Sequence, residues 1–99
     1  MKAIQKYVDL IDEELEGAKD YAECYLMHKS KSEAFWSSRY KEMAEDELKH
    51  AMYIHERVVG EIAELARVYT APVEMEEKWE ESHKRYVERV AWIKQMLSM

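Results

Sequence analysis

Glu47 and His50 stand three residues apart in Ala44-Glu45-Asp46-Glu47-Leu48-Lys49-His50-Ala51, in the middle of the longest helix-forming run of the chain. On a helix that spacing places both on neighbouring turns of one face. The apolar pattern predicts that this is the buried face, because Trp36, Tyr40 and Met43 precede the pair and Ile54 follows it. An uncompensated charge is costly to bury, so such groups are paired, protonated or bound to a metal. Glu-x-x-His on an inward helix face is how carboxylate-bridged di-metal sites are built inside four-helix bundles. Carboxylate oxygens with imidazole suit iron or manganese, and the chain offers no Cys-x-x-Cys pair for a thiolate site.

The elements that must hold these groups read as three helices. The first is expected over about residues 2–28, with an inward stripe of Tyr7, Ile11, Glu14, Ala18, Tyr21 and Tyr25. Glu14 interrupts that stripe as Glu47 interrupts the next. Its neighbours Asp12, Glu13 and Glu16 read as a solvated surface. A short basic connection, with Ser30 or Ser32 expected to cap the next helix, makes the first two helices antiparallel neighbours. The second helix is expected over about residues 33–69, much longer than the first, with Trp36, Tyr40, Met43, Glu47, His50, Ile54, Val58, Ile62, Leu65 and Tyr69 inward. Beyond Ile54 the spacing slips to four and four, and Gly60 marks an expected bend. Thr70-Ala71-Pro72 is the clear break, with Pro72 suited to a first helical turn. A third helix over about residues 73–97 turns Trp79, His83, Tyr86, Val90, Ile93 and Leu97 inward. The chain reads as a single domain, residues 1–99.

Composition narrows the class. The chain has 99 residues, with only two glycines and one proline, which leaves little for strands and turns and predicts an all-α fold. A net charge of −6 argues against nucleic acid and an anionic membrane surface and favours cations. No apolar run approaches the roughly 20 residues of a membrane span, and no signal-peptide core is evident, so the expected location is the cytoplasm. The lone Cys24 forms no internal disulfide.

Two stretches together resemble the ferritin-like superfamily of ferritins and rubrerythrins. In Glu14-Leu15-Glu16-Gly17-Ala18-Lys19-Asp20-Tyr21 a glutamate is followed seven residues later by a tyrosine. In Glu47-Leu48-Lys49-His50-Ala51 the second helix carries Glu-x-x-His-Ala. The resemblance covers about residues 5–60 and leaves the third helix outside. A full ferritin-like bundle has four helices and two such half-sites, whereas this chain has one. It is most similar to the short encapsulated ferritins, whose di-iron centre forms at a subunit interface. The resemblance therefore implies an antiparallel hairpin plus a third helix, dimerising into a ferritin-like four-helix bundle. It implies Glu14, Glu47 and His50 as metal ligands, with Glu47 the bridge and Tyr21 hydrogen-bonding a metal-bound carboxylate. The implied cofactor is iron, two ions per dimer, with manganese the second candidate. The implied activity is a ferroxidase using dioxygen or peroxide, in a homodimer or higher even oligomer. A rubrerythrin-like peroxidase and a helical assembly protein without turnover are the alternatives. His28 and His55 read as surface residues, His83 as a core histidine or a support for the site, and Trp36 and Trp79 as packing.

Overall fold

Side chains four and three apart along one face make a helix bury a narrow seam against a neighbour. The first helix has such a seam in Ile4, Val8, Ile11, Leu15, Ala18, Ala22 and Tyr25, all of them buried. The computed structural model describes residues 2–68, 70 and 73–99. It forms α1 (Lys2–Ser30), α2 (Ala34–Ala66) and α3 (Val73–Leu97), with no strand among the described residues. The three helices make a rod 55 Å long and 18 × 17 Å across. Tyr69, Ala71 and Pro72, expected to end the second stripe and to mark the break, lie outside the described residues.

α1 and α2 run antiparallel along almost their whole length. Tyr7 meets Glu61 at one end, and His28 stacks on Tyr40 near the other. The lengths are 29 and 33 residues, so the expectation of a much longer second helix is corrected: α1 reaches back along it past Gly60, and α2 runs unbroken through that residue. The seam on α2 is Ser37, Ala44, Ala51 and Val58, seven residues apart and all buried. Alanines at Ala18 and Ala22 of one helix and Ala44 and Ala51 of the other are fully buried, which lets the two backbones come close.

The expected stripes hold in part, since Ile11, Ala18 and Tyr25 of α1 and Val58 of α2 are buried, but the seam is turned by about one residue from the rest. On α2, Trp36, Met43 and His50 are exposed rather than inward, and Tyr40, Glu47 and Ile54 lie half-buried at the seam's edge. On α1 the deepest positions include Leu15 and Ala22, because this helix is covered from two sides. α3 packs chiefly against α1 and runs parallel to it. Ile93, Met96 and Leu97 are buried at its end, and Lys29 of α1 reaches the backbone carbonyl of Met99. Arg85 and Arg89 of α3 turn toward α1, where Arg89 pairs with Glu16 at 3.0 Å and both arginines pair with Asp12 at 3.3 and 3.6 Å. Asp12 is therefore a half-buried docking edge for α3, whereas Glu13 and Glu16 are exposed as expected, Glu16 pairing with Arg89 from the surface. The same rotation buries Ser82 and exposes His83, which is not a core residue.

The connection between α1 and α2 also departs from the expected serine cap. Glu33 precedes α2 without a side-chain cap hydrogen bond, while the Ser30 hydroxyl donates back to Met27 within α1. The end of α1 is closed by backbone instead. The Glu33 N–H donates to the His28 carbonyl at 2.9 Å and the Ser32 N–H to Lys29 at 3.0 Å. This is a Schellman closure, with Ser32 at φ 59° in the left-handed position that glycine usually fills.

Candidate metal centre

Glu14 on α1 and Glu47 and His50 on α2 come together where the two helices pass midway along the rod. Each offers one ligand atom, and the three atoms all lie within 4.8 Å of one another. They form the one group of three or more such ligands among the described residues. His50 Nδ1 is 3.3 Å from Glu14 Oε2 and 4.0 Å from Glu47 Oε1. The side chains of both glutamates are 27% exposed and that of His50 is 52% exposed, so the site sits at the edge of the seam and opens outward.

Gly17, which drew no attention in the sequence, makes the approach of Glu47 possible. It lies one turn beyond Glu14, and a Cβ placed on it would stand 3.1 Å from Glu47 Oε2. That is tighter than ordinary contact, so a glycine at this point gives the carboxylate its space. Being one of only two glycines, inside an otherwise well-formed helix, was the available signal.

Two carboxylates so placed disfavour a second negative charge. The Glu47 carboxyl is pushed up from its usual 4.5 to about 6, first by its hydrogen bond with Glu14, then by burial and by the Glu14 charge, while His50 works the other way. A proton held between two carboxylates is what a cation would replace. Oxygen, oxygen and nitrogen donors converging on one point fit iron or manganese. Glu47 Oε1 lies 4.0 Å from His50 Nδ1, and Oε2 is the oxygen nearest Gly17.

Tyr21 is half-buried two turns beyond Glu14, tilted against Tyr40 with ring centroids 6.2 Å apart, and it makes no hydrogen bond to the three ligand residues. It belongs to a line down α1, Tyr7, Leu10, Glu14, Gly17, Tyr21, Cys24 and His28, of which every member is half-buried. α2 lies along this line, with Glu61 at Tyr7, His50 at Glu14, Glu47 at Gly17 and Tyr40 at Tyr21 and His28. Beyond it on α2, Trp36 is 52% and Met43 39% exposed, on the same flank as His50.

His28 and His55 are not the surface residues the sequence implied. His28 is half-buried, stacked on Tyr40 at 5.1 Å and 3.4 Å from the Glu33 carboxylate. His55 is half-buried and lies against His83, Trp79 and Tyr86 of α3. No family model matches the chain, and no curated protein or solved structure matches it either.

Proposed function

We propose that this chain is a ferritin-like di-iron carboxylate protein, a ferroxidase that oxidises ferrous iron with dioxygen or peroxide at a site shared by two copies. The observation that carries the reading is that Glu14 of one helix meets Glu47 and His50 of the next, their ligand atoms all within 4.8 Å. One copy supplies two carboxylates and one imidazole. Two copies related by a twofold axis supply four carboxylates and two imidazoles, enough for two ions. The half-buried line through Glu14 and Gly17 and the exposed Trp36, Met43 and His50 support a second copy packing on this flank. Removing these apolar side chains from water favours such a pairing.

Bound iron, or manganese as the second candidate, would supply the electrons that reduce the oxidant. The chain's own residues do the rest. Glu14 and Glu47 would hold the cation's charge, with Glu47 the bridging ligand in this reading. His50 contributes the neutral donor, and its exposure in the single chain leaves an approach for ferrous iron. Tyr21 is within two turns to hydrogen-bond a carboxylate once the ligands take up their bound positions.

Dioxygen uptake with ferrous iron, together with the iron content per chain, tests this directly. Oxidation is expected to fall at least about tenfold in Glu14→Ala, Glu47→Ala and His50→Ala, in line with the cost of lost metal ligation, and to be unaffected by Glu80→Ala. A His50→Ala variant oxidising iron at the parent rate removes the ligand assignment. A stable monomer in sedimentation with iron present removes the shared site.

One observation favours a second reading, a helical assembly protein without turnover. His50 already pairs with Glu14, and no buried side-chain polar atom among the described residues lacks a partner. Iron-independent melting together with an unchanged oligomer would favour that reading.

A further inference from the structure

We propose that His55 and His83 form a second metal site, made of nitrogen donors only, that joins α2 to α3 and takes a late first-row dication of the copper or zinc type. The two imidazoles come from different helices, and His55 Nε2 lies 2.8 Å from His83 Nδ1. Their ring centroids are 5.0 Å apart with the planes at 29°, so the two nitrogens stand between the rings and face each other. Two metal–nitrogen bonds of about 2.0–2.1 Å meeting at roughly 90–110° hold their nitrogens about 2.8–3.4 Å apart. The pair is within a few tenths of an ångström of that separation and needs only a ring rotation to bring both lone pairs to one point.

The surroundings divide the work between the two rings. His55 is fixed by stacking on Tyr86, with centroids 4.1 Å apart and planes at 9°, and by Trp79 at 5.4 Å. His83 is exposed, which leaves it free to turn and gives an ion access from solvent. Burial, then the neighbouring His83, holds the His55 imidazole below its usual range, so it is neutral and able to ligate near neutral pH. Imidazole-only donors favour copper, nickel and zinc over the oxygen-seeking ions that suit Glu14 and Glu47. The site is therefore separate in chemistry as well as place, five residues further along α2. Its effect would be mechanical. α3 packs chiefly on α1, and a metal between His55 and His83 would add a direct tie to α2 near the middle of α3.

Copper(II) titrated alone into the His50→Ala protein tests this without competition from the carboxylate site. One copper per chain is expected, with nitrogen splitting from two imidazoles in its electron paramagnetic resonance spectrum. Tryptophan fluorescence should be quenched in step, since Trp79 lies 5.9 Å from His83. Adding His83→Ala, which changes an exposed side chain, should remove the two-nitrogen pattern and weaken binding about tenfold or more, a loss of about 1.4 kcal/mol. His83→Asn should do the same. Copper bound with unchanged affinity and splitting in the His83 variants overturns the proposal. So does a titration of His50→Ala that finds no stoichiometric copper, leaving His55 and His83 as a hydrogen-bonded pair only.

Discussion

Replacing Gly17 by alanine separates the needs of the fold from those of the site. In a helix interior, alanine is favoured over glycine by roughly 0.5–1 kcal/mol because it has less backbone freedom to lose. The cost to set against this is one contact. The new Cβ would lie 3.1 Å from Glu47 Oε2, and relief requires the carboxylate to retreat by a few tenths of an ångström. The far end of a glutamate moves that far at little expense, so the propensity term wins in the metal-free protein. Gly17→Ala is expected to raise the melting temperature with chelator present by about 2–6 °C, the shift that such a gain gives in a domain of this size. The same retreat moves an oxygen that the proposed metal site would use, by a large part of the about 0.5 Å that ligand geometry tolerates. Metal affinity should therefore fall by about three- to tenfold. Melting with chelator and with ferrous iron, and anaerobic titration of cobalt(II) as a redox-silent probe, give both numbers. Unchanged affinity would mean that the Glu47 position does not govern binding. A lower metal-free melting point would mean that Gly17 makes room for backbone or a partner rather than for a mobile carboxylate.

The pH dependence of the metal-free protein should carry the mark of Glu47. Its folded pKa of about 6 lies above the usual 4.5, so the stability it contributes is fully present below pH 4.5 and is lost as the pH rises through 6. The gap corresponds to at most about 2 kcal/mol, reduced toward about 1 by solvent at the edge of the seam. Glu47→Gln should flatten that slope and be the more stable protein at pH 7, as denaturant curves at pH 4.5 and 7 would record; parallel curves for the two proteins would place the proton elsewhere. At Ser32, where φ is 59°, a glycine should stabilise the fold by about 1 kcal/mol, because the left-handed conformation costs other residues about that much. A denaturation midpoint for Ser32→Gly at or below that of the parent would contradict the Schellman closure.

Element types were legible in the sequence because few glycines and prolines interrupt long runs of helix formers. Which face each helix buries was less legible, and the reason is tertiary. Tyr7, Glu14 and Tyr21 form one apolar-flanked line on α1, and Val8, Leu15 and Ala22 form the next. The pattern of a single helix does not say which line has a partner. That was decided by Arg85 and Arg89, whose pairing with Asp12 and Glu16 brings α3 onto the far side of α1. The alanines were a second signal passed over. Ala44 and Ala51 carry little hydrophobicity, yet they are fully buried because close helix approach needs small side chains. The serines near residue 30 pointed to a side-chain cap, whereas the backbone alone closes that end.

The candidate site was more legible than the stripes that flank it, and the difference follows from chemistry. Spacing within a helix is fixed by its pitch, so Glu47 and His50 must be neighbours whatever packs around them. That Glu14 joins them depends only on the antiparallel register of α1 and α2, which the short connection fixes. A rotation of each stripe by one residue does not undo that meeting; it moves the meeting from the centre of the seam to its edge. The edge position is what favours the proposal of a shared site. A carboxylate pair at the centre of a two-helix seam would be sealed and would have to stay protonated or paired. At the edge, the same pair is half-desolvated, holds a proton up to about pH 6, and faces a flank of Trp36, Met43 and His50 that the single chain leaves in water. Burying that flank against a second copy without a cation would bring four carboxylates together at a cost that grows with their desolvation. Metal and partner are then expected to bind each other's state more tightly, each stabilising the other by linkage.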